Sequence, residues 1–134
     1  MSKAQSAALY SLICRWHPVA IRPEDKRPML TGWQTTPLEQ TIDTLNANSH
    51  ANIGIAVPSG FVVLDVDTKS GGPATLAALE SEHSKLPATL TATTPTGGSH
   101  IWFALPHGAH VGNKVAIAQG LDVRANGGYV VAPP

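Results

Sequence analysis

Three short pieces of the chain carry side chains able to do chemistry. The first, Asp65-Val66-Asp67, follows the apolar run Phe61 to Leu64. On an extended strand alternate side chains share a face, so both carboxylates point one way and Leu64 and Val66 the other. Two like charges ~7 Å apart in an effective dielectric of about 20 repel by roughly 2 kcal/mol, a cost that a divalent cation, a proton or water must offset. Carboxylate oxygens suit Mg²⁺ or Mn²⁺, and Mg²⁺ commonly takes one or two carboxylates plus the phosphates of a substrate. The plainer alternative is a strand leaving the core for solvent. The second piece is Gly97-Gly98-Ser99-His100-Ile101-Trp102-Phe103, in which His100 and Trp102 share a face. Glycines ahead of the histidine let the backbone approach a ligand phosphate closely, although a buried structural histidine is the simpler reading. The third is Gly120-Leu121-Asp122-Val123-Arg124, with Asp122 and Arg124 on one face. Alone, such a pair is an ordinary surface contact of little energetic worth. Together the pieces say more, because three of the five aspartates, Asp65, Asp67 and Asp122, sit at strand positions flanked by aliphatic residues.

The elements that must hold these residues alternate between helical and extended patterns, without an internal repeat. Leu9, Leu12, Ile13 and Trp16 recur at helical spacing and predict an amphipathic helix over about residues 4 to 16, ended by Pro18. Thr36-Pro37-Leu38-Glu39 has the form of a capping box with Pro in the first turn, ahead of a helix facing inward through Leu38, Ile42 and Leu45. Asn52 to Val57 and Phe61 to Asp67 predict two strands that pair across the turn Pro58-Ser59-Gly60. Pro73 opens a third helix and Pro87 closes it before the Thr-rich run Thr89 to Thr94. Gly97-Gly98 leads into a strand from Ser99 to Leu105; after a polar loop come strands Leu121 to Arg124 and Tyr129 to Ala132, separated by Gly127-Gly128. The expectation is an α+β fold, a largely antiparallel mixed sheet with flanking helices.

Bulk properties narrow the function by exclusion. A chain of 134 residues is sized for one domain, and 43% apolar with only 13% charged residues excludes intrinsic disorder. Nine basic residues balance nine acidic ones, so net charge advertises no polyanionic partner. The distribution is less even: residues 1 to 35 hold five cations against two anions, clustered at Arg22, Lys26 and Arg27, and the remainder holds four against seven. A single cysteine, Cys14, forms no internal disulfide and no structural zinc site. With neither a signal-peptide pattern nor a spanning segment, a cytoplasmic protein with no membrane association is expected.

The order of the three pieces resembles the bifunctional primase/polymerase (prim-pol) family of the archaeo-eukaryotic primase superfamily, carried by plasmid and phage replication proteins. The similarity runs through Asp-x-Asp after an apolar strand, Gly-Gly-Ser-His, Leu-Asp-Val-Arg and the finish Gly-Gly-Tyr-Val-Val-Ala-Pro-Pro. Lys26-Arg27-Pro28, Gly32-Trp33 and Asn52-Ile53-Gly54-Ile55 extend it to about residues 17 to 134. The resemblance implies a primase-polymerase (RRM-like) catalytic core and metal-dependent, template-directed nucleotidyl transfer from (d)NTPs in plasmid, phage or prophage replication. It implies Asp65, Asp67 and Asp122 as catalytic carboxylates holding two Mg²⁺ or Mn²⁺ ions, and Ser99, His100, Arg124 and Lys26 as nucleotide-binding residues. Gly98 stands where the family's Ser-x-His element begins, which weakens the assignment of a hydroxyl there. Partners implied are a (d)NTP and a single-stranded DNA template or primer-template, with a helicase or initiator domain in a full-length protein. No zinc is expected. Because the family's domain continues past Ala-Pro-Pro, residues 1–134 are expected to be one catalytic domain truncated on its C-terminal side.

Two other readings compete. A noncatalytic nucleotide- or nucleic-acid-binding relative would keep the fold without turnover. A haloacid-dehalogenase-like phosphatase would use Asp65 as nucleophile and Asp67 as acid/base, but Lys69 stands where that family has Thr or Val, and no late acidic pair follows.

Overall fold

In the computed structural model, which describes residues 1–134, the chain runs α1 (Lys3–Leu12), β1 (His17–Ile21), a 3₁₀ turn (Trp33–Thr35), α2 (Leu38–Ala47), β2 (Asn52–Ala56), β3 (Phe61–Val66), α3 (Gly72–Glu82), β4 (Thr91–Thr93), β5 (Ser99–Ala104), β6 (Lys114–Ala118), β7 (Leu121–Arg124) and β8 (Tyr129–Ala132). All strand pairs are antiparallel, which with three helices makes the expected α+β fold. The strands form two sheets, ordered β1-β2-β8 and β4-β5-β3-β7-β6. They belong to two units, residues 1–58 with 129–134 and residues 59–128. No helix is long and apolar enough to cross a membrane.

In the first unit α1 starts at a capping box. Ser2 Oγ accepts from the Gln5 amide, and Gln5 Oε1 accepts from the Ser2 amide at 2.8 Å. The helix buries its small side, Ala4 and Ala7, in a core with Ala20, Leu45, Ala51 and Ile53, while Leu9, Leu12 and Ile13 are exposed. The face expected from the large residues is therefore reversed, and the helix ends at Leu12, well short of residue 16. Alanines win the inward face because they let α1 lie close to α2 and β1. At α2 the expected capping box is absent. Pro37 is the cap residue, and Thr36 Oγ1 instead donates to the Gly32 carbonyl at 3.2 Å.

β2 is the middle strand of its sheet and β3 the middle strand of the other, each with two neighbours. That leaves neither a free edge for the other, which corrects the expectation that they pair. β7 and β8 likewise belong to different sheets. β1, unread in the sequence because Pro18 marked a helix end, tolerates that proline as an edge strand whose outer side needs no amide donor. Gly54 in β2 lacks a Cβ because one there would stand 2.8 Å from Ile21 Cγ1 and 3.2 Å from the Val130 carbonyl oxygen. β2 and β8 meet end to end in register, with Ala56 opposite Tyr129.

In the second unit β3 ends at Val66, so Asp67 stands one residue beyond the strand expected to contain it. Pro73 lies in the first turn of α3, as expected, and Gly71, at φ +81°, precedes the helix. The Thr-rich run contributes only Thr91–Thr93, paired with β5 across a turn containing Gly97 at φ +84°. β6, Lys114–Ala118, lies within the segment expected to be a polar loop. Val63, Val66, Trp102 and Leu121 are buried in this unit.

Candidate functional site

The register of the five-stranded sheet decides which side chains meet. Asp65 of β3 stands opposite His100 of β5 on one side and opposite Asp122 of β7 on the other. Residues directly opposite on neighbouring strands share a face, so the three line up across the sheet. Two positions away on the same face are Val63, Trp102 and Arg124, themselves opposite one another. Asp65, His100, Asp122 and Arg124 are thus brought together by elements far apart in sequence.

Each member has a defined partner. His100 Nε2 lies 3.5 Å from Asp65 Oδ1, an ion pair when the imidazole is protonated; its side chain is 10% exposed against 26% for Asp65. Arg124 Nη2 donates to Asp122 Oδ2 at 3.0 Å, and the Ala116 amide donates to Asp122 Oδ1 at 2.7 Å. Asp67 is exposed and closes a turn, with Oδ1 accepting from the Lys69 amide and Oδ2 from Ser70 Oγ, both at 3.0 Å. Its backbone is fixed too, the amide donating to the Gly120 carbonyl and its carbonyl accepting from the Gly72 amide, both at 2.8 Å.

Electrostatics favour a cation here. Asp65 and Asp122 stand opposite each other on neighbouring strands, and of the two only Asp122 is paired with the Arg124 guanidinium. Opposed carboxylates about 5 Å apart in an effective dielectric of about 20 repel by about 3 kcal/mol. No group of three or more Asp, Glu, His or Cys side chains converges closely enough to cage a metal ion by itself.

Other expected site residues lie elsewhere. Ser99 precedes His100 and pairs with Val66, which puts it on the opposite face from Asp65. Gly98 serves the protein's own packing, since a Cβ there would overlap the Val66 carbonyl. Lys26 belongs to the first unit, at φ +59° in the turn after β1, and its carbonyl accepts from Tyr129 Oη at 2.9 Å. Tyr129 in turn packs edge-on against Trp33, with ring centroids 5.3 Å apart. Trp102, at 5% exposure beside Phe61, is a core residue and offers no open stacking surface. The participant that sequence reasoning missed is Ala116, because it acts through a backbone amide and its side chain carries no signal.

Fold and face together define an α+β protein in which His100, Asp65 and Asp122 form a row across an antiparallel sheet. Compared with known families, residues 8–134 match the model of the bifunctional DNA primase/polymerase, N-terminal domain (Prim-Pol), and the chain belongs to this family. It is a primase/polymerase-type domain, from a family whose substrates are nucleotides and DNA. No curated protein matches the chain.

Proposed function

We propose that this chain is a metal-dependent nucleotidyl-transferase module that extends a DNA strand from (d)NTPs on a template. The observation that supports it most is the cross-strand row His100, Asp65, Asp122, with Arg124 beside it. Asp65 and Asp122, with the exposed Asp67, would hold Mg²⁺ or Mn²⁺. A pair of opposed carboxylates with no closed cage suits a cation that takes its remaining ligands from phosphates and water. Bound divalent ions would supply activation of an attacking 3′-hydroxyl and charge neutralisation of the departing pyrophosphate. His100 donates to a phosphate oxygen from a nearly dry position where a hydrogen bond is strong. Arg124 takes the triphosphate with its planar fork, and no protein nucleophile is required. Ser99 and Lys26 are not needed for this assignment.

The test is calorimetric dATP binding with and without Mn²⁺, followed by primer extension, for the wild type, Asp65→Asn and Asp122→Asn. Mn²⁺-dependent binding and extension are expected in the wild type and lost in both variants, with circular dichroism unchanged. A second reading, a nucleotide-binding relative without turnover, is favoured by the engagement of both Asp122 oxygens within the protein. It predicts dATP binding without any extension.

A further inference from the structure

The β6–β7 pairing is irregular at one place. Lys114 pairs with Val123 and Ala118 with Leu121, so three residues of β6, Val115, Ala116 and Ile117, stand opposite Asp122 alone. The middle one, Ala116, has φ +51°, a left-handed conformation that a residue with a Cβ adopts only under constraint. Burial does not supply the reason, since residues 114–117 are exposed. The constraint comes from both ends of the strand. Before it, Asn113 is clipped to the end of β7, its Oδ1 accepting from the Ala125 amide at 2.8 Å and its Nδ2 donating to the Asn126 carbonyl at 3.0 Å. After it, Gly120 at φ +72° turns the chain directly into β7. Between these fixed points the surplus residues bow out, and what the bow makes is the 2.7 Å hydrogen bond from the Ala116 amide to Asp122 Oδ1.

We infer that Ala116 is a positioning residue: its amide pins Asp122 Oδ1, leaving Oδ2 as the oxygen that exchanges Arg124 for an incoming divalent cation. The inference rests on the proposed role of Asp122 in holding that cation. Bulges elsewhere re-aim side chains beside reacting centres, and a donor to a ligating carboxylate fixes its orientation. Arg124 Nη2, by contrast, sits on a rotatable side chain that is one-third exposed and can leave.

The test replaces Ala116 by lactate in the full chain, which swaps the amide N–H for an ester oxygen and keeps the side chain. A matching ester at Ile117 is the control. Mn²⁺ affinity, read by electron paramagnetic resonance in the presence of dATP, is expected to fall about tenfold for the ester at 116 and to stay at the wild-type value for the ester at 117. Ala116→Gly, which retains the amide, rescues it. Equal affinities for the two esters overturn the inference while leaving the proposed function standing. Absence of Mn²⁺ binding in the wild type itself overturns the proposed function, and the inference with it. Amide exchange gives an independent reading: the Ala116 proton is expected to be protected in the wild type and unprotected in Asp122→Asn, and a wild type without that protection also overturns the inference.

Discussion

At the scale of single residues, the opposed carboxylates of the candidate site are expected to work against the stability of their own sheet. Asp65 and Asp122 oppose each other on neighbouring strands, where like charges are unfavourable, and only Asp122 has a permanent cation within reach. Asp65→Asn keeps the shape and removes the repulsion. It is therefore expected to stabilise the metal-free protein by about 1 kcal/mol at low salt, with the gain shrinking as salt rises. Urea denaturation at two ionic strengths checks it, and a destabilised variant would mean that Asp65 is held by its partners more strongly than Asp122 repels it. Such a trade of stability for a charged site is common where binding needs groups that folding would discard. Asp65, His100, Asp122 and Arg124 were legible as candidates because alternation on strands put them on common faces. That His100, Asp65 and Asp122 form one row, with Arg124 beside it, was not legible, because register between distant strands depends on the whole sheet.

At the scale of elements, glycines lock the turns that carry the acidic end of β3. A Cβ at Gly120 would overlap the backbone of Gly72, and its φ of +72° disfavours any other residue. Gly120→Ala is expected to destabilise by about 3 kcal/mol or more, through overlap and backbone strain together, and to loosen Asp67, whose amide depends on the Gly120 carbonyl. Thermal denaturation measures the first effect and amide exchange at Asp67 the second. In the other unit Tyr10 of α1 donates to the Pro133 carbonyl at 2.8 Å. Burial, and secondarily the Cys14 thiol nearby, push the Tyr10 phenol above its ordinary value of 10.0. The folded state then keeps a proton that the unfolded chain has lost, so the contribution is complete below pH 10 and disappears as pH rises through the folded value. Tyr10→Phe is expected to cost about 1 kcal/mol at neutral pH and to flatten the loss of stability above pH 10, both read from denaturant curves. The elements that the sequence misled were those where packing overrides pattern. Small residues took the inner face of α1, an edge position admitted Pro18 into β1, and β6 is too exposed and too irregular to show alternation.

At the scale of the whole molecule, residues 59–128 interrupt the unit formed by 1–58 and 129–134. Amide exchange is expected to reveal the link: Gly120→Ala, which lies in the interrupting unit, should lower protection of the Val130 and Val131 amides in β8. Unchanged protection there would show that the two units unfold independently. The physical reason lies in the register that sets Ala56 opposite Tyr129. β2 and β8 are the two arms of a hairpin whose loop is residues 57–128. While the intervening chain is folded, its ends are already held near each other and closing that hairpin needs no search. Once it unfolds, the same closure must be made across a 72-residue random coil, at an entropic cost of about 4 kcal/mol from length alone. The five-stranded sheet is thereby expected to act as a molecular clasp, its own state of order setting the length of free chain that the β2–β8 pairing must close.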